Sequence, residues 1–212
     1  VTRLPELQVG ERSALDALLD EMRVGHIGLL DGDHPVVMPT AIARLGNSVL
    51  VHGSTGSGWM RAAAQGAPAC VTVTSFDGIV VARSAFESSF HYRSAVIFGR
   101  FERLEADEKK QALDVLIDKL IPGRRAEVRP SSRKELSNTM VLALPIREWS
   151  LKVSQGWPED DASDMAGPAW AGVVPLAVQA GAARPSPDLR AGLPVPPSVA
   201  ALTGTAAGAP VA

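Results

Sequence analysis

Near the N-terminus, apolar residues recur three and four apart. Leu15, Leu18, Leu19 and Met22 share one face of a helix over residues 11–22. Ser13 followed by Asp16 suggests a cap near its start, and Gly25 lies just past its end. Beyond it the pattern shortens to strand-length runs at 26–30, 35–44 and 48–51. The turns between them, Asp31-Gly32-Asp33 and Leu45-Gly46-Asn47, are short enough to require antiparallel neighbours. Pro39 removes a ladder donor, so the second of these strands is interrupted or lies at a sheet edge. The backbone around Met38, Pro39, Thr40 and Ala41 is then free to pair with the edge of a flat ligand.

His52-Gly53-Ser54-Thr55-Gly56-Ser57-Gly58 reads as a loop that opens a short helix over 59–65, stopped by Gly66 and Pro68. Strands follow at 68–74 and 79–82 around an Asp77-Gly78 turn, and another at 95–98 after a polar connection. Leu113, Leu116, Ile117 and Leu120 mark a second amphipathic helix, capped by Asp107 and ended by Pro122-Gly123. Ser132 and Glu135 form a capping box for a brief helix around Leu136. Strands at 140–146 and 149–153 close the sheet. The pattern divides the chain into a lead-in (1–10), one domain (11–178) and an Ala/Pro/Gly-rich tail (179–212), with 185–212 expected to lack order.

Composition narrows the function classes. A chain of 212 residues with formal charge -2 carries no global basic field for nucleic acid. No apolar run reaches transmembrane length and no signal-peptide core is visible, which points to a cytoplasmic protein with no membrane partner. The single cysteine, Cys70, excludes an internal disulfide and cannot by itself supply a zinc site. The histidines, His26, His34, His52 and His91, show no metal-ligand spacing, so no metal is expected. There is no Gly-x-Ser-x-Gly elbow and no placed pair of carboxylates. All five phenylalanines fall between Phe76 and Phe101, which assigns the aromatic share of the core to that hairpin. Trp157 and Trp170 stand in a polar context suited to covering a partner subunit or a ligand.

Two stretches carry chemistry. The Gly/Ser/Thr loop at 52–57 leads into a helix start, where free N–H groups and hydroxyls suit a phosphate; a plain connecting loop reads the same way. The segment IVVARSAFESSFHYRSAVIFG, residues 79–99, sets Arg83, Ser89, His91, Tyr92, Arg93 and Ser94 between apolar strands. Such a donor set suits a buried anion or polar heterocycle, and equally a solvated hairpin connection. Arg61, Arg83 and Arg93 are the candidate cations.

HGSTGS, a short helix, and then VTVT..DGIVVARSAF....HYRSAVIFGR resemble the pyridoxamine 5'-phosphate oxidase-like, FMN-binding split-barrel superfamily. Within it the likeness is to the flavin-nucleotide-binding branch that includes the nitroimidazole resistance proteins. The C-terminal SQGWPEDD and WAGVVPL also look like that branch. The resemblance implies a mainly β fold, a six-stranded antiparallel split β-barrel with flanking helices. It implies a homodimer with FMN sites between subunits, deazaflavin or haem being the less favoured cofactors. The flavin would lie against Met38, Pro39, Thr40 and Ala41 and the loop His52, Gly53, Ser54, Thr55 and Ser57. Ser89, Arg93, Ser94 and Trp157 would approach it, with Arg61 or Arg83 at the phosphate, because Gly58 stands where many members carry a cation. His91 and Tyr92 would face a small-molecule substrate. The implied activity is hydride or electron transfer from a reduced nicotinamide to a small electrophile, or else cofactor binding without turnover.

Overall fold

A computed structural model describes residues 5–204 of the chain. In order, its elements are β1 (Gln8–Val9), α1 (Arg12–Glu21), β2 (Val24–Asp31), β3 (His34–Ala41), β4 (Ala43–Leu45) and β5 (Ser48–Ser54). Then come α2 (Gly58–Ala64), β6 (Pro68–Val81), β7 (Ser89–Arg100), β8 (Glu102–Arg103) and α3 (Ala106–Leu120). The chain continues through α4 (Arg133–Asn138), β9 (Thr139–Pro145), β10 (Glu148–Ser154), β11 (Gly172–Pro175) and α5 (Pro197–Thr203). One sheet runs β1-β10-β7-β6-β2-β3, with β11 added to β6; the other runs β4-β5-β9-β8. Every pairing is antiparallel. The fold is the expected mainly β split barrel with flanking helices, and short edge strands raise the strand count above six.

Alternation builds the core. Ile27 and Leu29 of β2, Val71 and Val73 of β6, Ala95 and Ile97 of β7, Val49 and Val51 of β5, and Leu142 and Leu144 of β9 all turn inward. Leu15, Leu18 and Leu19 of α1 pack against this layer at zero to one per cent exposure. On the other face of the second sheet, Ala112 and Leu116 of α3 cover Ala43, Leu50, Val141 and Ala143. Pro39 lies on β3, which among the described residues pairs only with β2 and so forms a sheet edge, as the sequence suggests. The capping box at Ser132 and Glu135 is present in both directions.

Elsewhere the structure departs from the sequence reading. Asp77-Gly78 is no turn: β6 runs through it as a single strand, with a bulge between Phe76 and Gly78. Pairing with β7 on both sides of the bulge outweighs the local turn propensity. For the same reason Ser89, His91, Tyr92, Arg93 and Ser94 belong to β7, leaving only residues 82–88 as the connection. His52, Gly53 and Ser54 likewise extend β5, because β9 pairs with them as far as Thr139. α1 begins after Glu11 and α3 after Glu105, neither with a side-chain cap, so Ser13 and Asp107 do not serve as expected. Of the five phenylalanines only Phe101 is buried; Phe76, Phe86, Phe90 and Phe98 stand exposed on the chain.

The C-terminal segment is anchored at two points. Asp160, its side chain fully buried, accepts bonds from the Arg83 amide and from Arg83 Nη1 at 2.8 Å. β11 pairs with residues 78–81 of β6. Further on, α5 docks through Ser198, whose amide and hydroxyl donate to the Glu127 carboxylate. Part of the tail expected to lack order is therefore a packed helix. Residues 1–4 of the lead-in and 205–212 of the tail lie outside the described residues.

A Cβ built on Gly78 would sit 3.0 Å from the Val174 carbonyl oxygen, tight enough that the β11 backbone would have to move away from the bulge to admit it. Gly78→Ala should lower stability by about 1–3 kcal/mol, the usual cost of overpacking. It should also speed limited proteolysis within 155–176; unchanged cleavage there would refute the anchoring role.

Candidate functional site

The candidate residues fall into three groups. The first sits where β5 meets α2. Ser54 shapes the turn: its Oγ accepts from the Gly56 amide at 3.1 Å and its carbonyl from the Ser57 amide at 3.0 Å. The Thr55 amide donates to the Asn138 carbonyl, fixing the turn to α4. Ser57 precedes α2 but its side chain makes no cap. Among the described residues the Thr55 and Ser57 hydroxyls make no hydrogen bond, and both stay available to a ligand. Arg61 donates through Nη1 to the Gly56 carbonyl at 3.0 Å, which pulls the guanidinium across the turn.

A cleft of about 320 Å³ opens beside this turn, lined by Thr55, Arg61, Ala64, Gln65, Arg103 and Met140. It joins two expected residues, Thr55 and Arg61, to one the sequence did not suggest. Arg103 lies on the two-residue strand β8, opposite Leu142 of β9, and its Nε meets Glu105 at 2.5 Å. No pattern around residue 103 signals this role, since it depends on a pairing across some forty residues.

His52 borders the turn with an unusual feature. Its Nδ1 is buried and is the one buried side-chain nitrogen or oxygen without a partner among the described residues. Burial pushes the imidazole pKa below its ordinary value, so the ring is held neutral. Neutral imidazole can accept a hydrogen bond or ligate a metal. Gly53, next to it, lies against Met60, whose side chain leaves about 3.1 Å for a Cβ.

The second group lies on the outer face of the larger sheet. Tyr92 and Ser94 alternate outward with Phe90 and Phe98, and Ser94 Oγ stands 3.3 Å from Thr74 Oγ. The Phe76 ring meets Phe90 edge-on at 5.5 Å between centroids, and Phe90 meets Tyr92 at 5.2 Å. Aromatic rings and small hydroxyl residues on one open face suit contact with another surface. Pro39 and Ala41 of edge strand β3 lie opposite His26 and Val24; Met38 and Thr40 alternate to the other face, opposite Ile27 and Gly25.

The third group gathers under the C-terminal segment. His91 points away from Tyr92, as successive strand residues must, so the two cannot act on one group from the same face. His91 Nε2 lies 2.8 Å from the Gly156 carbonyl oxygen, beside exposed Trp157. Ser89 is exposed at the start of β7, opposite Val80. Arg83 is occupied by Asp160.

Arg93 is not a free cation either. Its Nε and Nη2 donate to both Asp77 oxygens at 2.8 Å, and its Nη groups to the Glu21 carboxylate at 2.5 and 2.9 Å. Nη2 also meets Ser75 Oγ. One guanidinium thus ties β7, the β6 bulge and α1 together, and most of its donors are committed to Asp77 and Glu21 rather than to the expected cofactor. Its bonds hold Asp77 and Glu21 below their ordinary values of 3.8 and 4.5.

Comparison with known proteins accords with this architecture. The sequence model of the pyridoxamine 5'-phosphate oxidase family matches residues 11–153. The chain belongs to this family. Among solved structures, a FAD and haem binding protein from Mycobacterium smegmatis is 53% identical, with a TM-score of 0.90, over 93% of this chain and 97% of that one. The flavocytochrome Anf3 from Azotobacter vinelandii is 34% identical, with a TM-score of 0.88, over 95% of this chain and 94% of that one. A 5-nitroimidazole antibiotic resistance protein homologue from Bacteroides thetaiotaomicron is 18% identical over 69% of this chain and 86% of that one. Its TM-score of 0.58 shows a shared fold and no more. No curated protein matches the chain. This family member has no described helix long and apolar enough to cross a membrane.

Arg93 yields a pH prediction. Carboxylates with lowered folded-state pKa values contribute stability that is present above their ordinary values and lost as pH falls through the lowered ones. Arg93→Gln should therefore cost about 1–2 kcal/mol at pH 7, discounted for the half-exposed Glu21. Urea melts should show that deficit shrinking as the pH falls from 4.5 toward 2. A deficit independent of pH would refute the ion-pair account.

Proposed function

We propose that this protein is a flavin-dependent redox protein acting as a homodimer. The observation that carries the reading is the cleft beside the Ser54–Ser57 turn, lined by Thr55, Arg61 and Arg103, whose spare donors suit phosphate, with the unbonded Ser57 hydroxyl on the adjoining turn. Its 53% identity to a FAD and haem binding protein over nearly the full length of both chains supports flavin as the ligand.

Within that reading, the Thr55 and Ser57 hydroxyls and Arg61 bind the phosphate nearest the ring system. The backbone of Met38 to Ala41 offers an open sheet edge to a planar heterocycle. His52, held neutral, accepts a hydrogen bond at its buried face rather than repelling a cation. A bound flavin supplies the transfer of electrons or hydride, and the chain binds, orients and shields it. FMN, the cofactor implied by the sequence resemblance, and FAD, named for one relative, share this phosphate chemistry.

The exposed face of Phe76, Phe90, Tyr92 and Phe98 is the surface for a second copy. Residues of β3 and β7 on one protomer and the turn after β5 on the other would then border one crevice. Tyr92 and Ser94 face that crevice, and Trp157 covers its end. Hydride would come from a reduced nicotinamide and pass to a small electrophile.

A second reading, a flavin–haem electron-transfer protein, is favoured by the two relatives named for flavin with haem or as a flavocytochrome. Neutral His52 fits an axial ligand's chemistry, because the imidazole must be unprotonated to bind iron. The visible spectrum of the purified protein separates these readings. Flavin bands that bleach with NADH or NADPH support the oxidoreductase, a Soret band adds haem, and neither band with no uptake of added flavin refutes both.

Ser57→Leu should weaken flavin binding by about 1–3 kcal/mol, the loss of a hydrogen bond to a charged group. Flavin-fluorescence titration measures it, and unchanged affinity would put the phosphate elsewhere. Phe98→Glu, at a position 43% exposed in the chain, should yield monomers with little change in protomer stability. Light scattering that still finds dimers would remove the proposed interface.

A further inference from the structure

We infer that Lys152 of β10 is the anion-recognising residue of the crevice, and that the small electrophile admitted there is a planar, conjugated carboxylate. This rests on the flavin-dimer reading and names the substrate class of that crevice.

Strand register places the lysine. Lys152 lies opposite Ser94 of β7 on one side and Gln8 of β1 on the other. Directly paired residues project from the same face of a sheet, so Lys152 shares the outer face with Ser94 and Tyr92. Ser150 and Ser154, two positions away along β10, project there as well, while Leu151 is buried on the inner face. Tyr92 stands opposite Ser154, which makes it a diagonal neighbour of Lys152. Such neighbours are about 7–8 Å apart, within reach of long side chains.

These surroundings supply everything except a counter-charge. Lys152 is half-buried, and its ammonium has no carboxylate or hydrogen-bond partner among the described residues. Among the described positions on this face of β3, β2, β6, β7 and β10, only Glu148 is acidic. It lies opposite Phe98, about 13 Å along the strand from Lys152. An open surface hydrates such a lysine. Once a second copy covers the face, the ammonium loses its water and the crevice must provide an anion.

The donor set fits a carboxylate. A lysine is a compact point charge, and a single one balances a monoanion rather than a phosphate dianion. The Ser150 and Tyr92 hydroxyls make no hydrogen bond among the described residues, so they can donate to the second oxygen. Beside them the Phe76, Phe90 and Tyr92 rings, with successive centroids 5.5 and 5.2 Å apart, form an apolar wall for a flat frame. A conjugated carboxylate meets the ammonium and the rings at once.

The test titrates the full chain by calorimetry, before and after loading with flavin, with cinnamate and its neutral isostere cinnamamide. Cinnamate should bind roughly tenfold more tightly, the scale of a hydrogen bond to a charged group. Lys152→Gln should erase that preference while leaving cinnamamide and flavin affinity within about twofold of the unaltered chain. Lys152→Arg should keep most of the preference, because the charge remains. Glu148→Gln should change the binding of neither probe. Equal affinity for acid and amide, or a preference that survives Lys152→Gln, overturns the inference. Light scattering that finds both Lys152→Gln and Glu148→Gln monomeric also overturns it, since the lysine then pairs with Glu148 of a second copy. An unaltered chain that takes up flavin yet ignores the charge of the probe loses only the substrate assignment. One that takes up no flavin loses the flavin reading itself, and the substrate assignment with it.

Discussion

β6 and β7 pair at twelve positions, from Pro68 opposite Arg100 to Val80 opposite Ser89, across a bulge. That ladder sits at the middle of the larger sheet: β2 and β11 attach to β6, and β10 attaches to β7. Its inner face provides Val71, Val73, Ala95 and Ile97 to the core. Its outer face provides the aromatic row proposed to meet a second copy. A strand of this length needs the hydrogen bonds of its partner at every step, since a buried unpaired backbone group costs as much as several weak contacts return. The bulge at Asp77 is the one interruption, and Arg93 binds the carboxylate it brings out.

Arg93 shows how a cation in a functional-looking motif can be committed to bonds that hold the fold. It stands within the HYRS segment, yet its donors are divided between Asp77 and Glu21, joining the barrel sheet to the helix that closes it. Arg83 is tied in part, its amide and Nη1 both donating to the buried Asp160. Arg61 and Arg103 keep spare donors and converge on one cleft. Pairing, rather than charge or position in a motif, decides which arginines are available.

The two sheets divide the remaining candidates. The turn after β5 belongs to the smaller sheet, whereas Tyr92, Ser94 and the edge strand β3 belong to the larger. In the proposed dimer, a flavin nucleotide that used both would lie in a crevice between copies. That division is the structural argument for the proposed dimer.

What the chain settled locally was legible: the α1 stripe, the Asp31–Asp33 and Leu45–Asn47 hairpins, the Ser132–Glu135 capping box and the edge position of Pro39 all follow from neighbours a few residues apart. The Gly/Ser/Thr turn was visible as a candidate for the same reason. Long-range pairing decided the rest. It straightened the Asp77-Gly78 turn into a bulge, drew His52 and the HYRS residues into strands, and put His91 and Tyr92 on opposite faces. It also brought Arg103 across from Leu142 to complete a cleft that no local pattern announces. Sequence spacing reports what residues within one element can share; which distant donors meet, and which are already spent, depends on strand register and packing.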